Sequence, residues 1–194
     1  TGVQTCALPI YLEGKKVLVQ GIGHVGETLV EYLTGDGAEV YITDINEDRL
    51  AEVSKKYGAH IFTDRDIYSA EVDIYAPCAL GATINDDTID RLKVDIIAGA
   101  ANNQLADEVA HGQILQNRGI VYAPDFLINA GGIINVYAEL ENYDKQEIMR
   151  KTENIYNTTL RILEKASKDD ITTHFAALQI AKQRIADRKK QNLN

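Results

Sequence analysis

Lys16-Val17-Leu18-Val19-Gln20-Gly21-Ile22-Gly23-His24-Val25-Gly26 decides how this chain is read. Val17, Leu18 and Val19 form a short apolar run, the pattern of a strand buried on both faces. Gly21, Gly23 and Gly26 fit G-x-G-x-x-G, and Val25, Leu29 and Leu33 then recur as on one face of a helix. Each glycine has a separate task in such a unit. Gly21 takes backbone angles that a side chain forbids. Gly23 lets a pyrophosphate approach the backbone, and Gly26 lets the helix pack on the strand. The free N–H groups and the positive dipole end of that helix then face the phosphates.

A second strand follows, Glu39-Val40-Tyr41-Ile42-Thr43-Asp44, and it ends on an acid close to where the fingerprint expects one. A carboxylate there accepts hydrogen bonds from the adenosine ribose diol and repels a 2′-phosphate. Ile45 and Asn46 come next rather than an arginine, so NAD is favoured over NADP. The same letters would also fit a glycine-rich turn of another α/β protein, with Asp44 merely preceding a helix capped by Asn46.

Working outward, Asn46 to Tyr57 reads as a helix with Leu50, Val53 and Tyr57 on one side, and Ala59 to Phe62 as a third strand. Val72 to Ala79 is a fourth strand running into a loop; it should end near Ala76, because Pro77 cannot donate to a ladder. Asn85 to Leu92 reads as a short helix, Val94 to Ala98 as a fifth strand, Leu105 to Arg118 as a helix and Val121 to Ala123 as a sixth strand. Gly131 and Gly132 open an apolar helix through Leu140, with Asn129 as its candidate cap. Helical stripes fill the rest, Ile148 to Ile162 and Phe175 to Ile185, with Arg188-Lys189-Lys190 at the end. The alternation implies a doubly wound α/β Rossmann architecture, a mostly parallel sheet with C-terminal helices. The expected boundaries are 11–144 for the nucleotide-binding domain and 145–194 for helices packed on it.

Two loops at strand carboxyl ends, where ligands of such sheets bind, hold further candidates. Pro77-Cys78-Ala79 is one. Cys78 reads either as a small buried residue or as a wall of the nicotinamide site, and no helper pattern makes it a nucleophile. Ala100-Ala101-Asn102-Asn103 is the other; its two amides suit a ligand or a plain turn.

The chain has 194 residues, 45% hydrophobic and 25% charged, ordinary for one globular domain or a domain with an appendage. Its net charge of −9, with no basic face, speaks against a nucleic-acid surface. The two cysteines allow no disulfide framework, and a reducing, cytoplasmic setting is expected. The four histidines are scattered, so no metal site is expected. No apolar run approaches a membrane span. Thr1 to Ile10 lacks both a methionine and the build of a signal peptide, and it resembles a translated sequencing-adapter oligonucleotide. Residues 1–10 are therefore expected to be non-native, with a domain upstream of Tyr11 missing.

Five strings occur together: Gly21-Ile22-Gly23-His24-Val25-Gly26, Thr43-Asp44-Ile45-Asn46, Ala76-Pro77-Cys78-Ala79-Leu80-Gly81, Ala101-Asn102-Asn103-Gln104, and Val121 to Pro124-Asp125 leading to Ile128-Asn129-Ala130-Gly131-Gly132-Ile133-Ile134-Asn135-Val136. Together they resemble the NAD-binding domain of the amino-acid dehydrogenases that act on glutamate, leucine, phenylalanine and valine, most closely the leucine enzymes. The resemblance covers essentially all of 11–194. It implies reversible oxidative deamination of an L-amino acid to a 2-oxo acid and ammonium, with NAD taking the hydride.

By that resemblance, Gly21, Ile22, Gly23, His24, Val25, Gly26 and Glu27 hold the pyrophosphate, and Asp44 with Ile45 holds the adenosine ribose. Pro77, Cys78 and Ala79 lie near the nicotinamide ribose, and Asn103 positions substrate and nicotinamide. Ile133 and Val136 line the side-chain pocket; two branched aliphatic residues suit a branched-chain substrate better than glutamate. His24 departs from the asparagine usual in the family. The family's catalytic lysine and its acidic partner belong to the upstream domain, so the chain alone is expected to bind NAD weakly without turnover. The complete protein is expected to be a homo-oligomer. Phenylalanine or valine dehydrogenase is the near alternative, and a free-standing, non-catalytic NAD-binding module the distant one.

Overall fold

The computed structural model describes residues 12–191 apart from 65 and 142, so the reading of residues 1–10 lies outside the described residues. Among the described residues, six strands form one sheet: β1 (Lys16–Gln20), β2 (Glu39–Thr43), β3 (His60–Ile61), β4 (Ile74–Pro77), β5 (Ile96–Ile97) and β6 (Val121–Tyr122). Their order is β3-β2-β1-β4-β5-β6 and every pairing is parallel. This is the doubly wound Rossmann order, with its reversal between β1 and β4.

Residue alternation along β1 separates two cores. Val17 and Val19 face one side with Val40, Ile42 and Ala76, covered by Val30 and Leu33 of α1 (His24–Gly35) and by Leu50 and Val53 of α2 (Glu47–Tyr57). Leu18 faces the other side with Tyr75, Ile97 and Tyr122, covered by Leu115 of α3 (Ala110–Asn117) and by Ile89 and Leu92. Val17, Leu18 and Val19 are buried completely or nearly so, as a strand covered on both faces requires. Each such side chain stabilises the fold by about 1.5–3 kcal/mol through removal from water.

The chain then runs through α4 (Asp125–Ile128), α5 (Gly131–Glu141), α6 (Lys145–Asp169) and α7 (Thr173–Gln191). Ile162 and Ala166 of α6 pack on Ala176 and Ala177 of α7, with Leu127 of α4 against them. Asp170, in a left-handed conformation, turns the corner between α6 and α7. Among the described residues, no helix is long and apolar enough to cross a membrane.

Several elements differ from the sequence expectation. β4 starts at Ile74 rather than Val72, and it ends close to Ala76 as expected, at Pro77, which pairs with Gln20. A Cβ on Gly99 would lie 2.4 Å from the Pro77 nitrogen, beyond the last β4–β5 pair. The proline ring therefore sits where β5 has already left the sheet, and no ladder bond is lost. Asn85 to Leu92 is not an α-helix; only Ile89–Arg91 forms a 3-10 turn. The Thr88 hydroxyl donates to Thr83 O (2.7 Å), and the Asn85 side chain accepts from Asp87 N (3.0 Å). These polar side chains satisfy the backbone locally and compete with the helix. Leu105 is a bridge partner of Ile84, and Asp107 Oδ1 accepts from Val109 N (2.9 Å) and Ala110 N (2.8 Å), so α3 starts five residues later than periodicity implies. β3, β5 and β6 are shorter than their apolar runs, although Phe62 N still donates to Ile42 O and Ala98 N to Tyr75 O.

Candidate functional site

The loops at the carboxyl ends of β1, β2, β4 and β5 meet at the strand-order reversal. Gly21 ends β1 with φ +91°, and a Cβ there would lie 2.6 Å from Ala79 Cβ. Both the turn and the contact with the β4 loop exclude a side chain. Gly26 presses on the same turn, since its Cβ would fall 2.0 Å from Gly21 O. Gly23 is different: a Cβ on it meets nothing within 4 Å. Its missing side chain opens space above the turn.

That space lies at the start of α1. The first intrahelical bond runs from Glu27 N to Gly23 O (2.9 Å), and no side chain caps the helix. The N–H groups of His24, Val25 and Gly26 therefore end the helix without an intrahelical acceptor, a site that favours an anion. His24 and Val25 are exposed, whereas Ile22 is buried in the core beneath them.

Asp44, immediately after β2, closes the adjoining side. Its Oδ2 accepts from Ile22 N (2.8 Å) and its Oδ1 from Asn46 N (2.9 Å). The carboxylate is thereby fixed at the edge of the glycine turn with lone pairs left over. Ile45 stands fully exposed beside it. The Glu27 side chain goes elsewhere, into the seam between α1 and α2. There it pairs with Arg49 and with Lys56 (3.0 Å), and it accepts from the Tyr57 hydroxyl (3.3 Å).

Cys78 is half-buried and packs against the core on the α1 side of the sheet. Its Sγ accepts from Ala100 N (3.5 Å), and its Cβ lies 3.6 Å from the position of a Cβ on Gly26. Burial pushes the thiol above its ordinary pKa, which suits a wall and not a nucleophile. Pro77 O accepts from Ala101 N (2.9 Å), joining the β4 and β5 loops.

Asn103 is exposed and left-handed (φ +52°), with its carbonyl accepting from Ala82 N (2.6 Å). Asparagine tolerates that conformation. Sequence reasoning passed over the residue beneath it. Gln104 is wholly buried, and its Nε2 donates to Gly99 O (2.6 Å) and Ala101 O (3.0 Å), gathering the β5 loop. Its backbone N–H reaches the buried Asp125 carboxylate (3.3 Å) at the start of α4. Burial and the Asp125 carboxylate hold the Tyr122 hydroxyl well above its usual range. Both stand in the strings that carry the family resemblance, but nothing local gives either a role, because Gln104 and Asp125 meet from distant parts of the chain.

Asn129 does not cap α5 as expected. It ends α4, and its side chain donates to Asn102 Oδ1, tying the approach to α5 to the β5 loop. Gly132 borders open space, while Gly131 is in ordinary contact range of Thr152 on α6. Ile133 and Val136 are exposed on α5 beyond this tie, together with Tyr137 and Leu140. Among the described residues, no cluster of metal-ligating side chains is present.

A glycine turn feeding an uncapped helix, an acid fixed beside it and a sheet of order 3-2-1-4-5-6 define a Rossmann-type α/β protein with its crevice loops in place. The family model described as Glutamate/Leucine/Phenylalanine/Valine dehydrogenase matches residues 41–192, and the chain belongs to that family. It is 48% identical to the leucine dehydrogenase of Thermoactinomyces intermedius over 179 residues, covering 92% of this chain and 49% of the relative. It is 49% identical to the leucine dehydrogenase of Bacillus subtilis (strain 168), covering 90% and 48%. The crystal structure of L-tryptophan dehydrogenase from Nostoc punctiforme superposes with a TM-score of 0.88 at 45% identity, over 91% of this chain and 54% of that one. The chain spans about half the length of the curated relatives it matches.

Proposed function

We propose that this chain is the NAD-binding part of an amino-acid dehydrogenase that oxidatively deaminates L-leucine and other branched-chain L-amino acids to 2-oxo acids and ammonium. The observation that carries this reading is the pairing of two features on one residue's border. Gly23 leaves open space over the uncapped start of α1, and the Asp44 carboxylate is held 2.8 Å from Ile22 N beside it. The first suits a pyrophosphate and the second a ribose diol; together they fit NAD.

In this reading the N–H groups of His24, Val25 and Gly26 bind the pyrophosphate, and Asp44 with Ile45 holds the adenosine ribose. Pro77, Cys78 and Ala79 wall the nicotinamide ribose. Asn103, locked by its left-handed backbone, orients substrate and nicotinamide. NAD, when bound, supplies the acceptor for the substrate's hydride. The proton-transferring lysine belongs to an upstream domain, and residues 145–194 are helices packed on a cofactor domain of 11–144. The complete protein works as a cytoplasmic homo-oligomer.

Ile133 and Val136 favour an aliphatic side chain. The 45% identity to an L-tryptophan dehydrogenase keeps an aromatic substrate, such as phenylalanine, as the second reading.

Calorimetric titration of the chain with NAD and NADP tests the assignment. Weak binding of NAD, weaker or absent binding of NADP and no leucine-dependent NADH formation are expected. NADP binding more tightly than NAD, or turnover by this chain alone, would overturn it.

A further inference from the structure

The pyrophosphate turn has a second charged neighbour besides Asp44. Arg49, in the first turn of α2, donates from Nε to Ile22 O (3.4 Å), while the N–H of the same Ile22 is held by Asp44. One residue of the glycine turn is thus flanked by a carboxylate on its N–H and a guanidinium on its carbonyl. A guanidinium beside the adenosine ribose is the group that accommodates a 2′-phosphate. Here it is turned away from that task. Nη2 pairs with Glu27 and Nη1 with Glu52 (2.7 Å). The two pairings are not equivalent. The Glu52 side chain is 61% exposed and the Glu27 side chain 16%, so solvent screens the Glu27 pair far less. Glu27 also takes Lys56 at 3.0 Å, the other cation of the seam, and the Tyr57 hydroxyl at 3.3 Å. The Glu27 carboxyl is held below its ordinary pKa, first by the Lys56 hydrogen bond, and so stays charged.

We propose that Glu27 is a specificity-determining residue that masks Arg49 and Lys56, so that the chain rejects a 2′-phosphate through two carboxylates: Asp44 by direct repulsion and Glu27 by neutralising the cations that would attract it. The inference rests on the NAD reading and deepens it. Glu27 then acts on the adenosine end of the cofactor through Arg49, without touching the pyrophosphate.

The test is calorimetric binding of NAD, NADP and adenosine 2′,5′-bisphosphate to the chain and to Asp44→Ser, Glu27→Gln and the double variant, with thermal unfolding of each as a check on folding. Asp44→Ser alone should weaken NAD and admit NADP modestly. Adding Glu27→Gln should raise affinity for NADP and the bisphosphate by at least about fivefold more, the scale of one unit charge removed within several ångströms at intermediate dielectric. Arg49→Ala in the double variant should remove most of that gain, and Arg49→Ala together with Lys56→Ala all of it. Glu27→Thr replaces Glu27→Gln if the latter fails to fold. If NAD binds the wild type but loss of Glu27 charge leaves 2′-phosphate affinity unchanged in the Asp44→Ser background, the masking role is refuted and the NAD reading stands. If the wild type binds NADP as well as NAD, both fall together.

Discussion

Gly21 and Gly23 stand two residues apart in one motif, yet the structure assigns them opposite consequences when each is changed to alanine. At Gly21 the backbone is left-handed, which costs an L-residue roughly 1–2 kcal/mol. The new Cβ would also lie 2.6 Å from Ala79 Cβ and 2.8 Å from Ala79 N, an overpacking worth about 1–3 kcal/mol. The sum is about 2–5 kcal/mol, and at roughly 2–4 °C per kcal/mol for a chain of this size Tm should fall by about 4–20 °C. At Gly23 the angles, φ −63° and ψ −167°, suit alanine, and its Cβ meets nothing within 4 Å. A poorer helix cap is offset by the lower entropy of the unfolded chain, each effect being within about 1 kcal/mol, so Tm should hardly move. The methyl group instead occupies the approach to the free N–H groups of α1. Losing one charge-assisted hydrogen bond of about 1.5–3 kcal/mol should weaken NAD roughly tenfold to hundredfold. Thermal unfolding followed by circular dichroism and calorimetric titration with NAD separate the two effects. If Gly23→Ala lowers Tm as far as Gly21→Ala while NAD affinity is unchanged, the division of labour between the glycines is refuted.

Three further outcomes follow from other parts of the molecule. Asp73 accepts from Lys16 N (2.8 Å) and Lys15 Nζ (3.2 Å), which hold its carboxyl below the usual carboxylate range. Its stabilising effect is complete above the unfolded value near ~3.9 and is lost as pH falls through the lower folded value. Asp73→Asn should therefore flatten the acid limb of stability, read as urea midpoints from about pH 6 down to about pH 3; an unaltered acid limb would contradict this. Cys78, with its thiol pKa raised by burial, should alkylate at least ~10-fold more slowly in the folded chain than in urea at mildly alkaline pH, by site-resolved mass spectrometry. Equal rates would place the thiol in solvent. In the complete protein, Ile133→Ala and Val136→Ala should reduce kcat/KM for leucine about tenfold while sparing larger side chains, in keeping with a lost hydrophobic contact of ~1–3 kcal/mol. An unchanged substrate panel would remove both residues from the pocket.

The part of the fold legible in sequence is the part whose signals are local. Val17 to Val19, the three glycines and Asp44 carry strand, turn, helix and acid within one βαβ unit, and the structure bears out the resulting parallel sheet. Where polar side chains compete with the backbone, periodicity misleads. Leu92 and Ile89 are buried as a helix face would be, but the hydrogen bonds of Asn85 and Thr88 keep that segment in turns. The candidate site divides in the same way. Gly23 and Asp44 announce themselves through spacing. Gln104 looks like one more turn amide after Asn102 and Asn103, and only the folded chain brings it under Gly99 and against Asp125. Glu27 is placed on the pyrophosphate by resemblance, and only the folded chain, in which α2 supplies Arg49, Lys56 and Tyr57, draws its side chain into the seam instead.

The reversal of strand order between β1 and β4 has a consequence for motion. On one side of it hang β2 and β3, on the other β5 and β6, and the last rung between the halves is Cys78 N to Gln20 O (2.7 Å). β3 is a two-residue edge strand with both side chains exposed, and such edges open by local fluctuation far more readily than β1. A ligand lying across the reversal grips loops from both halves at once. At a concentration a hundred times its Kd it would add about 2.7 kcal/mol to any opening that breaks its site, slowing amide exchange through such openings by roughly a hundredfold. Fluctuations confined to the β3 edge leave that site intact and would keep their rate, so protection that rises at β1, β4 and their loops but not at β3 would report occupancy.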